Sequence, residues 1–165
     1  MFDLKLEIRE YMASDRPHIV KCMEELQDYL VNVDGMRFTR RMPEYGEHFT
    51  EKLLQEVRDK NGRIYVAENE DNIVAFIAGI VYEWSTEVLL ECIPLKSGRI
   101  LELFVDSKHR RRGIGKMLIR KTEEYFRISG CDVFRVEVFE PNTEAYQFYQ
   151  GLGYQNRIID MIKKK

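Results

Sequence analysis

Residues 100–116 of this 165-residue chain read Ile-Leu-Glu-Leu-Phe-Val-Asp-Ser-Lys-His-Arg-Arg-Arg-Gly-Ile-Gly-Lys. An alternating apolar run ends at Asp106, a basic turn follows, and Gly113 and Gly115 open a predicted helix over 114–128. A helix start of this kind presents free backbone N–H groups and the positive end of the helix dipole. Glycine also lets a bulky anion approach the main chain, where a Cβ atom would block it. The stretch therefore predicts a phosphate or pyrophosphate site.

Two familiar nucleotide-binding motifs do not fit this stretch. The dinucleotide fingerprint requires a third glycine, and the residue at that position is Leu118. The P-loop requires Ser or Thr after its lysine, and Lys116 is followed by a methionine. The pattern that remains is Arg-x-x-Gly-x-Gly, formed by Arg110, Gly113 and Gly115. The alternative interpretation is a basic turn ahead of a glycine-softened helix start, with no ligand.

A second pattern lies further along the chain. Residues 133–139 alternate and are rich in β-branched and aromatic side chains, which predicts a strand. Pro141 breaks this strand, and Asn142 is a favourable N-cap for a helix over 142–150. The segment contains the string Asn142-x-x-Ala145-x-x-Phe148-Tyr149-x-x-x-Gly153-Tyr154.

These two patterns, in this order and separated by one helix and one strand, resemble the two signatures of the GNAT superfamily, the acetyl-CoA-dependent N-acetyltransferases. The resemblance is specific over residues 98–155 and rests on element order alone over residues 1–84. It implies one α/β domain over 1–165 with three α/β/α layers. Its sheet would be mixed and mostly antiparallel, with a central pair of parallel strands that splay apart.

The resemblance also implies an enzyme. It would move an acetyl group from acetyl-CoA, its co-substrate, to a primary amine of a small molecule or of a protein, at its N-terminus or at a lysine. The pyrophosphate of the co-substrate would be held by the basic loop and the helix start, which comprise Arg110, Arg111, Arg112, Gly113, Ile114, Gly115 and Lys116.

The remaining co-substrate contacts lie on the two flanking elements. The amide-rich pantetheine arm can pair with a strand edge as an added strand, and the resemblance assigns this edge to Leu103, Phe104 and Val105. The Val105 N–H would polarise the thioester carbonyl. Asn142 would cap its helix and touch the pantetheine. The other interpretation of residues 103–105, an ordinary core strand, is compatible with this one because backbone and side chains act separately.

The chemistry needs a base and an acid. An ammonium group titrates near ~10, so a base must take its proton at neutral pH. In GNAT enzymes that acetylate protein N-termini the base sits at the position matching Glu137, which ranks it ahead of Glu102. The alternative for Glu137 is an ion pair with Arg135 or Arg99. Tyr149 occupies the general-acid position and also contacts the co-substrate; its alternative is packing on the sheet.

Composition limits the classes of function. The 26 lysines and arginines against 28 aspartates and glutamates give a net charge of −2, too near neutral for a nucleic-acid binder. The longest apolar run, 73–82, is too short to cross a bilayer, and no secretory apolar region opens the chain. The expectation is a cytoplasmic protein without membrane or nucleic-acid partners. No metal site is predicted, because no ligand spacing links the cysteines or the histidines, which are Cys22, Cys92, Cys131, His18, His48 and His109.

The remaining elements follow from periodicity and turn signals. Strands are predicted at 4–10, 64–68, 73–84, 99–105 and 157–162, and helices from a Ser14 cap with Pro17 in the first turn and near 49–57; residues 85–98 are unassigned.

Alternatives remain open at two points. The domain could bind acyl-CoA as a sensor or assembly module without turnover, and assembly as a homodimer is compatible with the family. The acceptor is undetermined because the cues conflict. Arginines at 37, 40 and 41 suit an anionic acceptor, whereas glutamates at 44, 47, 83, 87 and 91 suit a cationic one such as a polyamine or aminoglycoside. Trp84 either lines the acceptor cleft or anchors its loop.

Overall fold

The computed structural model describes residues 6–70 and 72–165. The strands are β1 (Leu6–Glu10), β2 (Arg63–Asn69), β3 (Asn72–Tyr82), β4 (Ser97–Val105) and β5 (Val133–Val136). The helices are α1 (Arg16–Val33), α2 (Tyr45–Asp59), α3 (Thr86–Glu91), α4 (Ile114–Ile128) and α5 (Thr143–Gly151). Short 3-10 turns at Ala13–Asp15 and Ser107–His109 precede α1 and follow β4.

The five strands form one sheet in the order β1-β2-β3-β4-β5. The first three neighbouring pairs are antiparallel, and β4 runs parallel to β5. The predicted mixed, mostly antiparallel sheet is therefore confirmed. The parallel pairing joins residues 97–100 to 133–136 and stops there, so the second half of β4 has no strand beside it on the β5 side.

Two apolar clusters cover the two faces of the sheet. One cluster packs α4 and α5 against one face through residues such as Ile77, Leu118 and Phe126. The other packs α1 and α2 against the opposite face through residues such as Ile19 and Phe76. Helices on both faces make the three α/β/α layers that the resemblance implies.

Glycines in β3 and β4 let α4 lie close to the sheet. A Cβ atom at Gly98 would stand 2.3 Å from the Phe126 ring, and one at Gly79 would stand 2.7 Å from it. Non-bonded carbon atoms do not approach each other that closely. Phe126 is fully buried against these two backbones, so they fix the depth of α4, whose first residues bear the predicted anion site.

The predicted strand at 157–162 is wrong. Residues 154–165 form no helix or strand, and the Ile158, Ile159 and Met161 side chains are 75–87% exposed. In this segment the apolar residues come in adjacent pairs (Ile-Ile-Asp-Met-Ile). A strand of this composition turns apolar side chains to both faces, so no single face gathers them for burial.

Other element boundaries differ in smaller ways. Ser14 does not cap α1, because a 3-10 turn comes first and Asp15 stands at the N-cap position. The Asp15 carboxylate accepts from the Met12 N–H at 2.7 Å and pairs with Arg9 at 2.8 Å. β5 ends at Val136 rather than at 139, and the unassigned stretch contains α3. Positions 4 and 5 of the predicted first strand lie outside the described residues.

Candidate active site

The loop between β4 and α4 has an unusual backbone. Gly113 is the N-cap of α4 with φ +80°, and Arg111 also adopts a left-handed conformation with φ +60°. A Cβ atom at Gly113 would meet nothing within 4 Å, so the backbone conformation, rather than crowding, favours glycine there. Two left-handed residues close together fold the chain back so that successive N–H groups converge.

These converging N–H groups are free. Among the described residues, none of the N–H groups from Arg111 to Lys116 donates to a backbone or side-chain acceptor. The positive end of the α4 dipole lies at the same place. The Arg111, Arg112 and Lys116 side chains are exposed around it. The arrangement has the donors and the field that a phosphate group requires.

Arg110 holds the loop in place. Its Nε donates to the Val105 carbonyl at 3.0 Å, its guanidinium lies 5.2 Å from the centre of the Tyr29 ring, and its Nη1 is 3.7 Å from Glu144. The Asp106 carboxylate accepts from the Lys108 N–H at 2.8 Å. Arg110 therefore joins the end of β4, α1 and α5 around the loop.

The unpaired edge of β4 leads away from this loop. The Asp106 N–H donates to the Val74 carbonyl at 2.8 Å, and alternate residues of an antiparallel strand bond the same neighbour. The N–H and C=O groups of Phe104 therefore point to β3, and those of Leu103 and Val105 point away from it. Phe104 is also buried on the α1 and α2 face. Of the three predicted edge residues, Leu103 presents a free N–H and a free carbonyl, and Val105 presents a free N–H because its carbonyl accepts from Arg110.

A β-bulge lies in the same strand. Glu102 pairs with Ala78, but the next pair is Ile100 with Gly79, so Leu101 is an extra residue. A bulge bends its strand and re-aims side chains. It falls where β4 leaves β5, and it places Glu102 at the point where the two strands separate.

Glu102 is a carboxyl group in an apolar setting. It is largely withdrawn from solvent, and this burial raises its pKa from 4.5 to about 7. Its charge also raises the pKa of the Tyr149 and Tyr45 phenols, so all three groups lie within electrostatic range. Thr50 Oγ1 is the one sealed side-chain polar atom without a partner in the described part of the chain. The Glu102 oxygens, which have no partner there either, are consequently not sealed from solvent.

Tyr149 lies beside this carboxyl group. Its side chain is 7% exposed, and its ring packs edge-on against Phe148 and Tyr154 at centroid distances of 5.3 and 5.4 Å. Burial, with a further contribution from the charge of Glu102, raises its pKa above the usual phenol range. The phenol is therefore protonated at neutral pH. Its hydroxyl has no partner among the described residues and is not sealed from solvent.

Glu137 has a different environment. Its side chain is 84% exposed and forms an ion pair with Arg99. The other arginine considered for it, Arg135, instead lies 5.7 Å from the centre of the Trp84 ring. The Trp84 indole N–H donates to Ser97 Oγ at 3.0 Å, so Trp84 anchors its loop to the start of β4.

Asn142 caps α5 as predicted. Its Oδ1 accepts from the Ala145 N–H at 3.2 Å and lies 3.4 Å from the Tyr29 hydroxyl. The C-terminal half of α1 therefore crosses close to the start of α5, and Tyr29 contacts both Asn142 and Arg110.

Sequence reasoning missed two residues whose pKa values the fold shifts strongly. Tyr45, the first residue of α2, stacks on Phe49 at 4.4 Å, and burial, together with the charge of Glu102, raises its pKa to about 12. Asp34, just after α1, accepts from the N–H groups of Phe38 at 2.8 Å and Thr39 at 2.7 Å. The Thr39 hydroxyl and these N–H groups lower its pKa to about 2. An Asp after an apolar helix, followed by Gly and Thr, is the signal that could have indicated this turn.

Several predicted acceptor charges are already paired. Arg41 binds Asp28, and Glu47 binds Arg16 at 2.7 Å. Among residues 6–70 and 72–165, no helix meets the length and apolarity that a membrane span needs. Within the same ranges, no group of three or more potential metal ligands comes together.

The chain is similar to several curated proteins that are named as N-acetyltransferases. The chain is 33% identical over 114 residues to the uncharacterized N-acetyltransferase MJ1530 of Methanocaldococcus jannaschii, a match covering 61% of this chain and 65% of that protein. The chain spans 40–65% of the length of three curated relatives that it matches.

Solved structures share the fold over almost the whole chain. A mutant of the BH1408 protein from Bacillus halodurans is 21% identical with a TM-score of 0.82, covering 96% of this chain and 99% of that one. The aminoglycoside N-acetyltransferase AAC(6')-Iy, solved in complex with CoA, is 17% identical with a TM-score of 0.72, covering 98% and 95%. The model of the acetyltransferase (GNAT) family matches residues 21–154, which include the basic loop, the β4 edge and α5. The chain therefore belongs to the GNAT acetyltransferase family.

Proposed function

We propose that this chain is an acetyl-CoA-dependent N-acetyltransferase that acts on a primary amine. One observation carries the proposal: a loop of free N–H groups at the start of α4 continues into an unpaired strand edge, which leads to a buried carboxyl group and a protonated phenol. The loop residues 111–116 would bind the pyrophosphate. The N–H and carbonyl of Leu103 and the N–H of Val105 would bind the amides of the pantetheine arm. The related aminoglycoside enzyme was solved with CoA, which supports this co-substrate.

We assign the base to Glu102 ahead of Glu137. A base works best when its pKa lies near the working pH, and burial brings the pKa of Glu102 to about 7. Its oxygens are not sealed from solvent and have no partner among the described residues. Glu137 is exposed and neutralised by Arg99. Glu102 would take the proton of the incoming ammonium, directly or through water, and pass it to solvent.

Tyr149 would act as the general acid. The amine nitrogen forms the new C–N bond, the C–S bond breaks, and its electron pair goes to sulfur. The buried phenol can donate its proton to that sulfur because it is not ionised at neutral pH. The nitrogen loses a second proton when the amide forms, and this proton returns to Tyr149 through solvent.

The acceptor is a primary amine of a small molecule or of a protein. The aminoglycoside N-acetyltransferase of the same fold supports the small-molecule class. The three cysteines are free thiols, which fits a reducing compartment such as the cytoplasm.

Release of free thiol from acetyl-CoA tests the proposal. The chain is mixed with acetyl-CoA and a pool of primary amines, and amine-dependent thiol is measured. We expect turnover that Glu102→Gln and Tyr149→Phe reduce. Tight co-substrate binding without any amine-dependent thiol would instead identify an acyl-CoA sensor.

A further inference from the structure

We propose that the C-terminal lysines, Lys163, Lys164 and Lys165, are acetylated by the active site of their own chain. This inference rests on the proposed function and adds a modification site to it. The residues that carry it lie in the exposed segment 154–165, which the fold leaves without a strand partner.

Two side-chain contacts mark the course of this segment in the structure. Asn156 Nδ2 donates to the Tyr146 hydroxyl of α5 at 2.9 Å. Eight residues later, Lys164 Nζ lies 5.6 Å from the centre of the Phe38 ring. The tail therefore crosses from α5 to the segment between α1 and α2.

Each of these two anchor points is near in sequence to a tyrosine whose pKa the charge of Glu102 raises. Tyr146 precedes Tyr149 by three residues, so the two project from the same side of α5, about 5–6 Å apart at Cβ. The Phe38 N–H donates to the Asp34 carboxylate at 2.8 Å. Phe38 lies in the segment that leads into Tyr45, and the charge of Glu102 raises the pKa of the Tyr45 phenol. The tail thus runs from the helix that bears Tyr149 to the segment that leads into Tyr45, the two phenols on which the charge of Glu102 acts.

Few contacts hold the tail in this position. Its apolar side chains are 75–87% exposed at Ile158, Ile159 and Met161. Within the described chain, Tyr154 contributes the last backbone hydrogen bond before the C-terminus. A segment with so few contacts opens at little cost. Eight extended residues reach about 26 Å from Asn156, well beyond the one helical turn that separates its anchor from Tyr149. Tethering of this kind gives a lysine a local concentration of about millimolar.

The reaction is the proposed transfer with a lysine as the amine. Glu102 takes a proton from the Lys164 ammonium, and the Nζ lone pair attacks the thioester carbonyl carbon. The C–N bond forms, the C–S bond breaks, and the sulfur takes the bonding pair and a proton from Tyr149. The second proton of the nitrogen returns to Tyr149 through solvent, and Glu102 releases its proton. The products are Nζ-acetyl-lysine, free CoA and one proton in solvent. Lys163 and Lys165, as neighbours on the same tether, are alternative acceptors.

Intact and peptide mass spectrometry tests the inference. The full chain is incubated with acetyl-CoA and no added amine, and acetylation of residues 163–165 is followed in time. We expect a first-order rate that does not change over an about 100-fold range of protein concentration, because the acceptor is tethered. The variant with all three lysines changed to arginine loses the modification. Lys60→Arg, at the far end of α2 where Lys60 pairs with Glu56, leaves it unchanged.

Controls separate the inference from chemical acetylation and from the proposed function. Glu102→Gln should slow tail acetylation by about tenfold or more. A rate that Glu102→Gln, Glu137→Gln and Tyr149→Phe all leave unchanged would mean uncatalysed chemistry and overturn the inference. Thiol release with the amine pool but an unmodified tail would overturn the inference and leave the proposed function standing. A rate proportional to protein concentration would mean transfer between copies and would refute a tethered acceptor. Absence of both reactions would refute the proposed function and the inference together.

Discussion

Replacing Glu102 by glutamine removes the proposed base and keeps the shape of the side chain. With a pKa of about 7, the wild-type carboxyl is about half ionised at pH 7, and its ionised fraction falls tenfold for each pH unit below that. We expect kcat/KM to rise with pH along a limb centred near 7. Glu102→Gln should abolish that limb and lower kcat/KM by about 10²–10⁴ at pH 8, the usual contribution of a general base.

The same substitution has a stability signature of known sign. The folded pKa of about 7 lies above the ordinary value of 4.5. Between these pH values the folded carboxyl keeps a proton that the unfolded chain has lost, so stability falls as pH rises through this window. The difference corresponds to at most about 3 kcal/mol. Glu102→Gln should therefore be more stable than wild type at pH 8 and about equal at pH 4.5, as measured by urea unfolding.

The matched control is Glu137→Gln, which removes an exposed carboxylate from its pair with Arg99. Exposed ion pairs contribute about 0–1 kcal/mol. We expect kcat/KM within about threefold of wild type, which corresponds to a change in activation free energy of less than about 1 kcal/mol. Initial rates of thiol release from pH 5.5 to 9, with a saturating amine, measure both variants. A Glu102→Gln enzyme with an intact limb, together with an inactive Glu137→Gln enzyme, would refute the assignment and restore Glu137 as the base.

Other substitutions test the remaining parts of the site. Tyr149→Phe should lower kcat by about 10² or more while calorimetry shows nearly unchanged acetyl-CoA affinity; an unchanged kcat would remove Tyr149 from the mechanism. Gly113→Val forces a β-branched residue to φ +80° at a cost of about 1–2 kcal/mol, and should abolish acetyl-CoA binding in a chain that circular dichroism shows to be folded. Normal affinity in that variant would place the pyrophosphate elsewhere. Asn142→Ala should lower the free energy of unfolding by about 1 kcal/mol through loss of the α5 cap, and no change in the melting curve would contradict this.

Local signals in the sequence were enough for the elements that carry the co-substrate site. Helix α4 was predicted to run from 114 to 128 and does so. It begins after Gly113 and ends before Gly130, both in left-handed conformations that L side chains seldom adopt. The Asn142 cap was likewise readable because a cap depends on residues within one turn.

Local signals could not show which of the two carboxylates, Glu102 or Glu137, is better suited to act as the base. Glu102 and Glu137 both lie within alternating apolar runs. Their difference arises from the bulge at Leu101, the splaying of β4 from β5 and the arrival of Arg99 beside Glu137, all of which depend on contacts between distant elements. Tyr45 was missed for the same reason, because its nearness to Glu102 arises only when α2 packs on the sheet.

The strand predicted at 157–162 failed for a related reason. Its β-branched residues have high strand propensity, but propensity reflects packing against neighbours as much as backbone preference. Adjacent apolar pairs give such a segment no single face to bury, and it stays on the surface beside Phe38.

A crystal structure with bound CoA measures the central claim, that main-chain N–H groups at the start of α4 hold the pyrophosphate. We predict phosphate oxygens within about 3 Å of the N–H groups between Arg111 and Lys116, with the pantetheine amides on Leu103 and Val105. A pyrophosphate bound elsewhere, with these N–H groups still facing solvent, would contradict the account.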